Sequence, residues 1–182
     1  MIALAPSPQR AVPPNPLEEL TKVVSASRLN CFLGCRLKFY FRYVLEMVKP
    51  ATAALFVGKA VHAALQQWST ARWQGKPHDA ESLKAGFMMN WITTQEEEPV
   101  RWEADEDEQQ EKAWGLVDMY LRDTPIPAEE KPEAVEVRVE ADLARHGLPT
   151  LVGIIDLVRP QGRIVDFKTS AASPNAEQVI HR

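Results

Sequence analysis

Residues 151–170, LVGIIDLVRPQGRIVDFKTS, constrain the fold more than any other stretch of this chain. They read as two β-rich runs around Pro160-Gln161-Gly162, because proline fixes φ at the first position of a type I turn and Gly162 can take the left-handed conformation that closes a three-residue loop. Arg159 then faces Arg163, and counting outward places Asp156 opposite Asp166 on one face of the hairpin. Cross-strand Cβ atoms are about 4.5–5.5 Å apart, so two carboxylates there repel unless a cation lies between them. Lys168, two residues beyond Asp166, falls on the same face, whereas Ile155, Leu157, Val165 and Phe167 make the opposite face apolar and place it in the core. Such a trio can be an ordinary exposed ion-pair network. Against that, Ile154, Val158 and Ile164 make the charged face partly apolar, and Glu136 from the preceding strand can join the carboxylates. A divalent cation held by Asp156 and Asp166 would remove the repulsion. With Lys168 stabilising charge on an attacking water or a pentavalent phosphate, phosphodiester hydrolysis is the natural reaction class.

Upstream, Ser25 or Ser27 can N-cap one helix that carries Leu29, Phe32, Leu33, Leu37, Tyr40 and Val44 and ends before Pro50. A second helix spans 58–73, with Val57, Val61, Ala64, Leu65 and Trp68 on its stripe and Gly75 and Pro77 ending it. Two more are expected over 79–95 and 107–122. The run from Glu96 to Glu111 holds nine carboxylates against Arg101 alone, which predicts a solvated surface or loose loop that nucleic acid avoids. After Pro125, Pro127 and Pro132, Val135, Val137 and Val139 alternate with Glu136, Arg138 and Glu140, the pattern of a half-buried strand.

The chain has 182 residues and a formal charge of −4, with 45% hydrophobic residues, which argues for a globular domain rather than disorder or a coiled coil. Residues 1–17 carry five prolines, so 1–20 are expected to be a disordered arm and 21–182 the folded domain. No membrane span, no secretory signal and no disulfide framework is visible, and the expected location is the cytoplasm.

Gly153-Ile154-Ile155-Asp156, nine intervening residues, then Asp166-Phe167-Lys168-Thr169-Ser170 resembles the core motif of the PD-(D/E)XK nuclease superfamily, RecB-like branch. Two upstream segments extend the resemblance. Ser25-Ala26-Ser27-Arg28-Leu29 with Phe32, Cys35, Phe39, Tyr40 and Tyr43 is similar to the opening helix of RecB-like nucleases, and Gly58-Lys59-Ala60-Val61-His62 to the helix that supplies their metal-binding histidine. The resemblance implies an α/β (α+β), restriction-endonuclease-like core, a central mixed sheet flanked by helices with an N-terminal helical region. It further implies that His62, Asp156, Asp166 and the carbonyl of Phe167 bind Mg²⁺ or Mn²⁺, that Lys168 is catalytic together with Asp156 and Asp166, and that Glu136 is an auxiliary acid. Such nucleases continue into a Gln-x-x-x-Tyr helix. Here Gln178 is followed by Arg182, so the C-terminal part of the core is expected to be missing and the chain to be a fragment or unusual. Some relatives hold an iron–sulfur cluster, but Cys31 and Cys35 cannot supply four ligands and none is expected in this chain. Cys35 is expected to be a buried helix residue.

Residues 22–49 hold six Lys+Arg and one Glu, interleaved with aromatic rings, of which at least half are expected in the core. Basic groups neutralise phosphates and rings stack on bases, so Arg28, Arg36, Lys38, Tyr40 and Arg42 are the expected DNA contacts. The expected function is a metal-dependent DNA exonuclease of recombination or repair, acting on single strands or duplex ends, with a helicase or recombination protein as partner. The alternative is a noncatalytic DNA-binding or interaction module that keeps the fold.

Overall fold

The computed structural model describes residues 20–47, 50–97, 100–102 and 104–169. The expected N-terminal arm up to residue 19, as well as Ser170 and Gln178, lies outside the described residues. Two compact units divide the chain, one formed by Met1–Val48 with Val139–Gly153, the other by Lys49–Arg138 with Ile154–Arg182.

In the first unit, β1 (Val23–Ser25) runs parallel to the start of β5 (Thr150–Arg159), with Val23 beside Thr150 and Ser25 beside Val152. Of the two serines able to cap the first helix, Ser25 does so: its Oγ accepts the Arg28 amide at 3.2 Å at the head of α1 (Ala26–Gly34). The single long helix expected here is broken. Cys35 is extended, and its Sγ accepts the Lys38 amide at 3.4 Å, so the thiol caps a new helix, α2 (Arg36–Phe39), which widens into a π-helical turn at Tyr40–Val44. Cys35 is therefore exposed and not the buried helix residue expected. No residue of α1, α2 or the π turn is buried, which corrects the expectation that half the rings are core. Instead the rings pack on one another, Phe32 on Phe39 at 5.3 Å and Phe39 on Tyr43 at 5.1 Å between centroids.

The second unit is built on α3 (Ala53–Gln74), which Thr52 caps by accepting the Leu55 amide at 3.3 Å and which Gly75 ends at φ +66. α4 (Ala80–Glu97) and α5 (Glu106–Asp123) pack against it, and β2 (Ala51–Thr52) pairs in parallel with β3 (Val100–Arg101). The acidic run is thus not one loop. Asp105 caps α5 by accepting the Glu108 amide, and Glu106, Asp107 and Glu108 fill its first turn, where the helix dipole favours negative charge. Glu106 also accepts from the Trp91 indole at 3.2 Å and from Gln95 at 2.9 Å, so one acid of that run ties α5 to α4.

The core of this unit joins Phe56, Val61 and Leu65 of α3 to Phe87 and Trp91 of α4, Val117 of α5, and Leu157 and Phe167 of the hairpin, the last two as the strand alternation predicts. β4 (Ala134–Ala141) and β6 (Arg163–Val165) are both neighbours of β5, and with β1 they complete a mixed sheet. The β5–β6 register is Leu157 to Val165, Val158 to Ile164 and Arg159 to Arg163. Gly162 is left-handed at φ +68 as expected, but Gln161 is too, at φ +67, with its N–H donated to Glu133 at 3.0 Å. The facing arginines at the hairpin's end are neutralised by Glu130, whose carboxylate takes Arg159 at 2.7 Å and lies 3.9 Å from Arg163. The buried Arg72 holds the same loop through the carbonyls of Pro127 and Glu130.

Candidate active site

The antiparallel ladder stops at Val165, one residue short of Asp166, and a side chain takes over. Oδ2 of Asp156 accepts the Phe167 amide at 2.6 Å, and His62 Nδ1 lies 4.0 Å from the same oxygen. Asp156 is therefore well shielded on β5 and oriented by the chain it faces, while α3 brings His62 to it across the core. Asp166 has a different partner. Its Oδ1 accepts Lys168 Nζ at 2.6 Å, an exposed pair formed across the two-residue spacing of extended chain.

Glu136 comes from β4, where Val135 and Val137 are half-buried and Glu136 and Arg138 exposed, as the alternation predicts. Its backbone is left-handed at φ +52, a conformation that costs a residue with a Cβ about 1–2 kcal/mol. Burial holds its carboxyl above the usual range, the negative charge of Asp156 adds to that, and His62 acts in the opposite sense. Glu136 therefore lies within electrostatic reach of both Asp156 and His62.

Gly58 lies one helical turn before His62, and a Cβ there would stand 2.9 Å from Thr169 Oγ1. The glycine is thus what lets the segment after Lys168 come against α3. A cavity of about 610 Å³ opens beside them, lined by Gly58, Lys59, His62, Gln66 and Thr169 among others. Ile154 and Ile164 on the carboxylate-bearing face are 66% and 63% exposed.

Of the residues expected to converge, His62 lies beside Asp156, Glu136 is within electrostatic reach of both, and Asp166 pairs with Lys168. Among the described residues, no three of His, Cys, Asp and Glu are gathered closely enough to hold a metal ion. The donor set nevertheless fits an oxygen-seeking divalent ion, since it offers carboxylates and one imidazole, with excess negative charge at Glu136 and Asp156. Asp166 meets Lys168 through Oδ1, and a carboxylate has a second oxygen with which to meet an ion.

The expected DNA contacts lie in the first unit, and their arginines are already engaged. Arg28 donates to the Val23 carbonyl at 2.9 Å and sits 5.3 Å from the Tyr43 ring centroid; Arg42 lies 5.5 Å from the same ring and Arg36 5.5 Å from Phe32. Lys38 and Tyr40 are exposed. Sequence reasoning passed over Lys59 and Gln66, although their spacing of three before and four after His62 put them on its side of a helix.

The family model for the PD-(D/E)XK nuclease superfamily matches residues 23–182. No curated protein and no solved structure matches the chain.

Proposed function

Because the chain belongs to the PD-(D/E)XK nuclease superfamily, whose members are typically metal-dependent nucleases, we propose that it is a divalent-metal-dependent DNA nuclease of the RecB-like branch, degrading strands from their ends in recombination or repair. The observation that carries this is the Asp156 carboxylate, fixed by the Phe167 amide, beside His62 and near Glu136. His62, Asp156, Asp166 and the carbonyl of Phe167 would hold Mg²⁺ or Mn²⁺. When bound, such an ion polarises a phosphoryl oxygen and makes hydroxide available near neutral pH. Lys168, which has two further N–H donors beside the one that meets Asp166, stabilises charge growing on the phosphate as the water oxygen bonds to phosphorus and the bond to the leaving sugar oxygen breaks. Glu136 is an auxiliary acid that can take up the water's proton. DNA is the substrate, anchored in part by Arg28, Arg36, Lys38, Tyr40 and Arg42, with a helicase or recombination protein as the class of partner.

Linear and covalently closed circular DNA of the same sequence, incubated with Mg²⁺, test the proposal. Loss of the linear form alone, abolished by chelator, is the expected result. Cutting of both forms would remove the end requirement, and cutting of neither would remove the enzyme.

A further inference from the structure

Three cavities lie along one side of α3. One, between α3 and α4, is lined by Lys59 and Ala63; the second holds Lys59, His62, Ala63 and Gln66; the third continues through Ala63, Gln66, Gln67 and Thr70 to Lys76. Shared lining residues make them a furrow, running about 28 Å from Leu55 to Gln74 at 1.5 Å per residue. No carboxylate lines any of the three, although the chain carries a net charge of −4. Lys59 lies near one end and Lys76 at the other, and the wall between them alternates small apolar residues, Ala63 and Ala71, with the amides of Gln66, Gln67 and Gln74 and the hydroxyl of Thr70. That mixture differs from a duplex-binding surface, which is dominated by positive charge set against phosphates. Glutamine amides pair with the edges of bases, and outside the grooves of a duplex those edges are open only on an unpaired strand.

Resting on the nuclease reading above, we propose that a single polynucleotide strand lies along α3, its phosphates near Lys59 and Lys76 and its bases against Gln66, Gln67 and Thr70, so that the furrow leads the strand to His62. The length accommodates about eight stacked nucleotides at ~3.4 Å each, fewer if they are unstacked. Lys59, Gln66 and Lys76 are not buried in the core, so replacing them leaves it intact.

The test measures binding of a fluorescent oligonucleotide of about 12 nucleotides, single-stranded or in duplex, in chelator so that no cleavage intervenes, with wild-type cleavage in Mn²⁺ followed in parallel. Lys59→Gln with Lys76→Gln should reduce the salt slope by about 1.4, at ~0.7 for each phosphate neutralised on a single strand. Gln66→Ala with Thr70→Ala should weaken single-strand binding roughly tenfold, as expected for two hydrogen bonds, and leave the slope alone. Wild-type affinity and slope in both variants, with wild-type cleavage intact, would overturn the furrow and spare the nuclease. Equal losses on duplex and single strand would overturn the commitment to an unpaired strand. A wild-type chain that neither binds nor cuts would remove both.

Discussion

Asp156 has two roles that one substitution series separates. Its Oδ2 accepts the amide of Phe167, a residue only 7% exposed, and the same oxygen faces His62 at 4.0 Å. Asp156→Ala leaves that amide without an acceptor, which costs about 1–3 kcal/mol. In a chain of this size each kcal/mol moves the melting temperature by about 2–4 °C, so a fall of about 2–12 °C is expected. Asp156→Asn keeps an acceptor but gives up the charge. A charged hydrogen bond is worth about 1.5–3 kcal/mol against about 0.5–1.5 for a neutral one, so the loss is close to 1 kcal/mol, partly offset because Glu136 no longer faces a second carboxylate. Asp156→Asn should therefore melt no more than about 4 °C below wild type. Mn²⁺ at a hundredfold excess over its dissociation constant adds about 2.7 kcal/mol to a chain that binds it only when folded, which raises the wild-type melting temperature by about 5–11 °C. Neither variant should show that rise. Melting followed by near-UV circular dichroism with and without Mn²⁺ reads both quantities. Wild-type melting and a full Mn²⁺ response in Asp156→Ala would refute both roles.

Glu136→Gln should raise the melting temperature at neutral pH. The folded carboxyl is held above the ordinary 4.5, so its ionised form is penalised in the fold, and the advantage of glutamine should fade as pH falls through the raised value toward 4.5, which melting curves across pH would follow. Gly58→Ala gains about 1 kcal/mol of helix propensity but drives a Cβ against Thr169 Oγ1; that gain should emerge in full only alongside Thr169→Ala, as a melting temperature about 2–4 °C above Thr169→Ala alone. Replacing Arg28, Arg36 and Lys38 with glutamine should flatten the salt dependence of DNA binding by roughly 0.7–0.9 for each phosphate left unneutralised, measured by fluorescence anisotropy. Arg28→Gln should in addition lower the melting temperature, because Arg28 holds the Val23 carbonyl and lies against Tyr43.

Much of the hairpin was legible from turn chemistry and two-residue alternation: the register around Pro160-Gln161-Gly162, the apolar face at Leu157 and Phe167, and the left-handed Gly162. The C-terminal end of α3 was nearly as plain, since Gly75 stops a helix by local conformation alone. The site itself was less so. Two-residue alternation puts Lys168 beside Asp166, but a register places backbones and does not say that Asp156 will spend one oxygen on the Phe167 amide, which depends on where the ladder ends. The break at Cys35 was hidden for a similar reason, since a thiol is a weak cap and the aromatic periodicity runs straight across it. Glu136 carries no mark in the sequence of its left-handed backbone. Gly58 stood in the sequence only as the first residue of a motif; the approach of Thr169 gives it a physical role.

In the proposed mechanism Lys168 acts on the charge developing at the phosphate while His62, Asp156 and Asp166 hold the ion. The rate at which Lys168→Ala cleaves linear DNA, measured beside its Mn²⁺ affinity, separates these roles. Turnover should fall at least about a hundredfold, in keeping with the loss of one group that stabilises the transition state, at nearly unchanged Mn²⁺ affinity. Wild-type turnover in Lys168→Ala, or a turnover lost only in proportion to lost Mn²⁺, would contradict it.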